Sequence, residues 1–273
     1  MTALLGVIGD PIAHSLSPLI HNGWLRAAGI DAVYEAMQVA EGEFPDALST
    51  LSARPVIGVN VTLPHKVAAF AAASDASEDA TILGVANTLS LNSDKSWTAN
   101  NTDVPGFLRA LELEDERELE GRQVTVLGAG GAARSVVHAL VQRGANVSIL
   151  NRTIERAQAL SVRLGQGKAV HGSLDQYKEY IGLSDIVINT ASFGYSGGYL
   201  ELPKGRDRLF MDISYGKAAE TQLEHAKKER WRTADGLGML VAQAASSFEI
   251  WFGERPSEAE ALKKCRHAVR IAS

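Results

Sequence analysis

The sequence predicts an α/β chain of two domains, and three features of its 273 residues carry that reading. Short aliphatic and β-branched runs alternate with helical stretches, the order expected of parallel strands joined by crossover helices. Residues 113–121 are acidic and poor in apolar side chains, as a linker is, and a fresh strand begins at residue 123. That strand runs into a glycine-rich turn and then an apolar helix, the opening of a βαβ unit. The two domains are expected to be residues 1–103 with 237–273, a mixed, mainly parallel α/β body, and residues 104–236. At this length each can bury a core of its own.

Hydrophobic content of 45% and charged content of 22% are ordinary for a globular chain, and the formal net charge is −5. That balance argues against nucleic acid as the partner, because neutralising phosphates takes a basic face. An anionic small molecule has to be held by local positive charge. The one cysteine, Cys265, excludes an internal disulfide and fits a reducing compartment, so a cytoplasmic location is expected. No basic region or cleavage site precedes the first strand, so no secretion signal is expected. The most apolar long segment, residues 237–252, is too short to span a bilayer and is interrupted by Gln243, Ser246, Ser247 and Glu249. No membrane association is expected, and the composition fits a monomer or a homodimer equally.

Residues 4–8 read as the first strand. The loop after it leads through Ser15-Leu16-Ser17-Pro18 into a helix, with Ser17 as N-cap, Pro18 behind it and Gly29 as the stop. Ser15 and Ser17 beside helix N–H groups can seat a carboxylate or phosphate; alternatively Ser17 only caps. His14 and His21 have no partners at metal-ligand spacing, and no metal site is expected. Residues 34–39 and 56–61 read as strands joined by a helix over 44–51. The second strand runs into Thr62-Leu63-Pro64-His65-Lys66, where Pro64 is expected to pre-set the first turn of a helix. Asn60, Thr62 and Lys66 are thereby delivered to the carboxyl end of a parallel sheet, where open α/β sheets bind ligands. Residues 85–91 and 96–100 form a hairpin whose second arm ends in Asn100-Asn101-Thr102-Asp103. Asp103 there either caps the next helix or is left for chemistry.

In the middle of the chain Gly128-Ala129-Gly130-Gly131-Ala132-Ala133 stands between a strand and a helix. A G-x-G-x-x-G/A match in that context marks a Rossmann-type dinucleotide site. Gly128 permits the turn, Gly130 lets the backbone approach a pyrophosphate, and Ala133 packs closely; Ala129, Gly131 and Ala132 complete the cofactor-binding turn. The next strand ends in Asn151-Arg152-Thr153, with Arg156 one turn on. No carboxylate stands there to repel a ribose 2′-phosphate and two guanidiniums are placed to clasp one, so the expected cofactor is NADP rather than NAD. Strands over 186–189 and 209–213 end in Thr190-Ala191-Ser192-Phe193-Gly194 and Ser214-Tyr215, loops expected to face the nicotinamide.

A last helix is entered through Asp235-Gly236-Leu237-Gly238-Met239 and carries Gln243. Taken with Ser15-Leu16-Ser17-Pro18, Asn60-Val61-Thr62-Leu63-Pro64-His65-Lys66, Ala86-Asn87-Thr88, Asn101-Thr102-Asp103, the glycine-rich turn and Asn151-Arg152-Thr153, it resembles the shikimate dehydrogenases, in order and over nearly the whole chain. The resemblance implies reduction of 3-dehydroshikimate to shikimate with NADPH, a step of aromatic amino-acid biosynthesis. It implies that Ser15 and Ser17, helped by Tyr215, hold the substrate carboxylate. Thr62, Asn87 and Gln243 would contact ring hydroxyls, Lys66 and Asp103 would be the catalytic pair, and Gly236 and Met239 would join the cofactor set. The chemistry is consistent: hydride added to a ketone leaves alkoxide charge that an adjacent ammonium stabilises and protonates. The chain departs from the family pattern at Val104, Pro105, residues 191–195 and 214–217, which leaves the nicotinamide contacts open. Two alternatives stand beside this reading, a quinate/shikimate dehydrogenase with relaxed cofactor use and a non-catalytic ligand-sensing protein on the same scaffold.

Overall fold

Strand β1 (Ala3–Gly9), buried along nearly its whole length, is the spine of the first of two units in the computed structural model. The structure describes residues 2–272 apart from 192, 193, 195–197 and 207. The first unit comprises Met1–Gly106 with Leu240–Cys265, and the second Phe107–Met239 with Arg266–Ser273.

In the first unit β1 is followed by α1 (Ser17–Ala27), β2 (Ala32–Gln38), α2 (Phe44–Ser52), β3 (Val56–Val61) and α3 (Lys66–Ala71). Then come β4 (Asp75–Ala76), α4 (Glu78–Leu83) and the antiparallel pair β5 (Thr88–Leu91) and β6 (Trp97–Asn100). The six strands lie in the order β2-β1-β3-β5-β6-β4, parallel from β2 to β3 and antiparallel across β3, β5 and β6. Leu4, Ile8, Phe44, Leu48, Val59, Val61, Leu89 and Trp97 pack one face of this sheet into a core. Such a β-branched and leucine-rich inner face is what lets strands be buried on both sides.

Two local expectations are corrected here. Pro64 does not open a helix: it sits in a turn behind a cis Leu63–Pro64 bond, and α3 starts at Lys66. Ser17 is not an N-cap: Leu16 holds that position without a side-chain bond, and Ser17 is already helical.

Helix α5 (Asp103–Leu113) leads into the second unit, where β7 (Gln123–Leu127), α6 (Gly131–Gln142), β8 (Asn146–Asn151), α7 (Ile154–Leu164) and β9 (Ala169–Ser173) form one half. The other half is α8 (Tyr177–Leu183), β10 (Ile186–Asn189), β11 (Leu209–Asp212), α9 (Lys217–Lys228) and β12 (Arg232–Ala234). All six strands are parallel, in the order β12-β11-β10-β7-β8-β9. Strand order therefore reverses between β7 and β10, the switch point at which doubly wound sheets open a crevice. Residues 113–121 are not the free linker their composition suggests. Glu116, 8% exposed, pairs with Arg122 at 3.3 Å and Arg232 at 3.0 Å, and Leu119 is buried. Helices α10 (Leu237–Phe252) and α11 (Glu258–Ala272) complete the chain. No described helix is long and apolar enough to cross a membrane.

Candidate active site

Lys66 stands just past the carboxyl end of β3, and its Nζ lies 2.5 Å from Asp103 Oδ2. The two side chains are 15% and 6% exposed, so this is a largely desolvated ion pair. Removing one partner from such a pair strands the other charge, which typically costs about 3–5 kcal/mol. Asp103 is the first residue of α5, yet it does not cap the helix. Asn101 does, its Oδ1 accepting the backbone N–H of Asp103 at 3.1 Å and of Val104 at 3.3 Å. Both carboxylate oxygens are thereby left for side chains, and the second accepts from Asn87 Nδ2 at 3.0 Å.

The direction of the Asn87 amide is dictated by its other end. Its Oδ1 accepts the Thr102 backbone N–H at 2.7 Å, so its NH2 must face Asp103. Gln243, on α10, turns its Oε1 toward the same NH2 at 3.2 Å and donates its own amide to the Leu240 carbonyl at 2.8 Å. Gly106 makes this approach of α10 to α5 possible: a Cβ there would lie 2.7 Å from Gln243 Cβ and 2.9 Å from its backbone nitrogen.

Behind this layer is a second one, in which Tyr34 and Ser247 were missed by sequence reasoning and Asn60, expected at the ligand-binding end of the sheet, is instead buried among protein groups. Asn60 Nδ2 donates to the Asn87 carbonyl at 3.1 Å and to Ser247 Oγ at 2.8 Å, while its Oδ1 accepts from Tyr34 Oη at 2.7 Å. Thr88 and Thr102 join the same cluster. Tyr34 is buried, which pushes its phenol well above the usual range, against a smaller opposing effect of a hydrogen bond with Ser17. The one available signal was Ser247 lying a helical turn from Gln243, on the same face of α10.

Ser15 and Ser17 lie together at the start of α1, where the Ser17 N–H donates to Ser15 Oγ at 3.3 Å; Ser17 is buried and Ser15 half-buried. Thr62 is half-buried just past β3 and its N–H is held by the Ile8 carbonyl at 2.9 Å. Tyr215 belongs to the second unit, between β11 and α9. His21 is stacked on Tyr34 with ring centroids 4.2 Å apart, and burial lowers its pKa to about 3.

In the second unit the glycine-rich turn sits at the carboxyl end of β7, at the switch point. Gly128 has φ +107°, and a Cβ on it would meet Thr190 Oγ1 at 2.6 Å, so the turn excludes any side chain there. At Gly130 a Cβ would have nothing within 4 Å: the backbone faces open space, as a close-lying phosphate requires. Helix α6 starts there without a side-chain cap, leaving its first N–H groups and its dipole for an anion. Ala129, Gly131 and Ala132 are half-buried in this turn.

At the end of β8, Asn151 Nδ2 donates to the Thr153 carbonyl at 2.8 Å, and Arg152 and Arg156 are exposed. Among the described residues no carboxylate pairs with either arginine. This donor set fits a dinucleotide carrying an extra phosphate. On the other half of the sheet Asn189 Nδ2 donates to Asp212 Oδ2 at 2.7 Å, and the Ser214 N–H to Asp212 Oδ1 at 2.8 Å. Burial raises the Asp212 pKa despite these bonds. This buried clasp between the ends of β10 and β11 was also missed by sequence reasoning. The Gly236 N–H is held by the Ser214 carbonyl at 2.8 Å, and Met239 is buried. Ser192, Phe193 and Tyr195 lie outside the described residues.

A parallel unit with a glycine-rich turn at its switch point, in one chain with a mixed-sheet unit bearing a desolvated lysine–aspartate pair, defines the class of two-domain nicotinamide-dependent oxidoreductases. Comparison with known proteins narrows the class. Residues 7–89 match the shikimate dehydrogenase substrate binding domain, 110–238 the shikimate / quinate 5-dehydrogenase domain, and 236–266 the shikimate 5′-dehydrogenase C-terminal domain. The chain is 52% identical, over the whole of both sequences, to a protein of Hyphomonas neptunium named shikimate dehydrogenase (NADP(+)). Its fold superposes on the crystal structure of shikimate dehydrogenase from Aquifex aeolicus with a TM-score of 0.88 and 33% identity, covering 97% of this chain and 98% of that one. For the Thermus thermophilus shikimate 5-dehydrogenase in complex with NADP(H) and shikimate the TM-score is 0.83 at 31% identity, covering 97% and 99%. The chain belongs to the shikimate dehydrogenase family.

Proposed function

We propose that this protein catalyses the reversible NADPH-dependent reduction of 3-dehydroshikimate to shikimate in aromatic amino-acid biosynthesis. The observation that carries the reading is the buried Lys66–Asp103 pair, with Asn87 and Gln243 converging on it. Bound NADPH supplies the hydride. Lys66 donates a proton from Nζ to the oxygen that becomes negative as the carbonyl is reduced, and takes it back in the reverse direction. Asp103 positions the ammonium, and Asn87 positions Asp103. Thr62, Asn87 and Gln243 bind the ring hydroxyls, while Ser15 and Ser17 at the start of α1 take the carboxylate, with Tyr215 as a further contact. Residues 1–103 with 237–273 serve as the substrate domain and 104–236 as the cofactor domain.

The cofactor reading places the pyrophosphate on the turn from Gly128 to Ala132 and the 2′-phosphate against Asn151, Arg152, Thr153 and Arg156, with Gly236 and Met239 on the nicotinamide side. It is supported by the open approach at Gly130 and by relatives whose names specify NADP. Residence in the cytoplasm, as a monomer or homodimer, accompanies it. The test is a steady-state assay following NADPH absorbance with 3-dehydroshikimate. Turnover at ordinary enzymatic rates, on the order of 1–10³ per second, is expected; no oxidation of NADPH above background would sink the reading.

A further inference from the structure

We infer that Ser247, on α10, is a positioning residue for the Lys66–Asp103 pair, acting by keeping the Thr88 hydroxyl away from Asn87; this rests on the proposed reduction of 3-dehydroshikimate. Ser247 is fully buried, and its hydroxyl touches groups from four segments of the first unit. It donates to the Gln243 carbonyl one turn back at 3.0 Å, accepts from Asn60 Nδ2 at 2.8 Å, and lies 2.8 Å from Thr88 Oγ1 and 3.1 Å from Thr102 Oγ1.

A hydroxyl has one proton and two lone pairs. The Gln243 carbonyl can only accept, so it takes the Ser247 proton. Asn60 can only donate through Nδ2, and its amide cannot be reversed, because that nitrogen also faces the Asn87 carbonyl. One Ser247 lone pair is thereby filled, and the other takes the Thr88 proton over the shorter of the two remaining contacts.

Without the Ser247 hydroxyl the Thr88 proton needs another acceptor. The Asn87 Oδ1 is within reach, at 3.2 Å. That oxygen already accepts the Thr102 backbone N–H, the bond that turns the Asn87 NH2 toward Asp103, and the Thr102 hydroxyl at 3.2 Å, so both its lone pairs are engaged. A competing donor there pulls the amide out of register with the carboxylate. Lys66 feels the change only through Asp103, so Ser247 positions and does not react.

Ser247→Thr and Ser247→Val, of equal shape and differing by the hydroxyl, isolate the effect; Ser247→Ala, which adds no atoms, stands in for Val where the β-branched variant does not fold. In the NADPH-linked assay Ser247→Val is expected to lower kcat about tenfold with KM for NADPH unchanged, and Ser247→Thr to restore kcat. Wild-type kcat in Ser247→Val, or the same loss in both variants, overturns the inference. Hydrogen exchange at the Asn87 side-chain amide, followed by NMR, reads the same effect without turnover and is expected to be faster in Val than in Thr. If the wild type does not reduce 3-dehydroshikimate, the proposed function falls alone and the exchange comparison decides Ser247, equal rates overturning it.

Discussion

Around Lys66 the polar side chains of the first unit already hold one another: Asp103, Asn87, Thr102, Asn60 and Ser247 are each 5% exposed or less. At the carboxyl edge of the second unit the situation is reversed. Gly130 presents bare backbone to open space, and Arg152 and Arg156 extend into solvent. The difference fits what each is proposed to recognise. A reacting oxygen must be met to a fraction of an ångström, which a buried, mutually satisfied network provides because few of its members can rotate. Phosphates carry charge that helix N–H groups and guanidiniums attract over a range of geometries, so an open, less organised surface suffices.

The sharpest way to break the comparison is at its most organised point. Lys66→Ala is expected to lower kcat about 10²–10⁴-fold while substrate binding is largely kept; near-wild-type turnover measured in the NADPH assay would refute its role. The open site should respond differently. Loss of both guanidiniums in Arg152→Ala/Arg156→Ala is expected to raise KM for NADPH roughly 10–100-fold, with kcat nearly unchanged and KM for NADH hardly moved. Equal KM values for the two cofactors in the unmodified enzyme would overturn the NADP preference.

The buried side of the first unit also predicts acid lability. The unfolded chain protonates His21 near 6.5, whereas the folded chain excludes that proton until about 3. His21 therefore costs nothing above pH 6.5 and destabilises progressively as pH falls through that window. At pH 5 the loss from this residue is about 2 kcal/mol relative to neutral pH, and His21→Phe should remove it. Urea midpoints of the two proteins that shift in parallel between pH 7.5 and 5 would contradict this. A further effect is expected at Cys265, buried and with its thiol pushed up to about 11. Native protein at neutral pH should react with a thiol reagent roughly a hundredfold more slowly than unfolded protein, given the lower thiolate fraction. Equal rates would show that the site opens readily.

Legibility in the sequence divides along the same line. The second unit's turn is a local object: three glycines and three alanines running from the end of a strand into a helix specify backbone geometry and so announce an anion seat. The first unit's site is not local. Asn101, Thr102 and Asp103 are all good helix caps by composition, and nothing within that triplet says which one caps and which reacts. The structure shows Asn101 as the cap, and places Lys66, 37 residues earlier in the chain, and Asn87 against the Asp103 carboxylate. Glu116 misled for a related reason: an acidic stretch reads as solvated until Arg122 and Arg232 are seen to enclose it.

The lysine–aspartate pair came only from the family resemblance; what the sequence determined by itself was therefore the α/β class, the nucleotide turn and the absence of an acid after β8. Each depends on periodicity or on residues within one or two turns of each other. What only the tertiary structure decided was the direction of each amide and hydroxyl around that pair, and the part played by Tyr34, Asn60 and Ser247. Hydrogen-bond direction is set by which acceptor-only and donor-only groups end up as neighbours, and that neighbourhood exists only once β3, β5, α5 and α10 have packed.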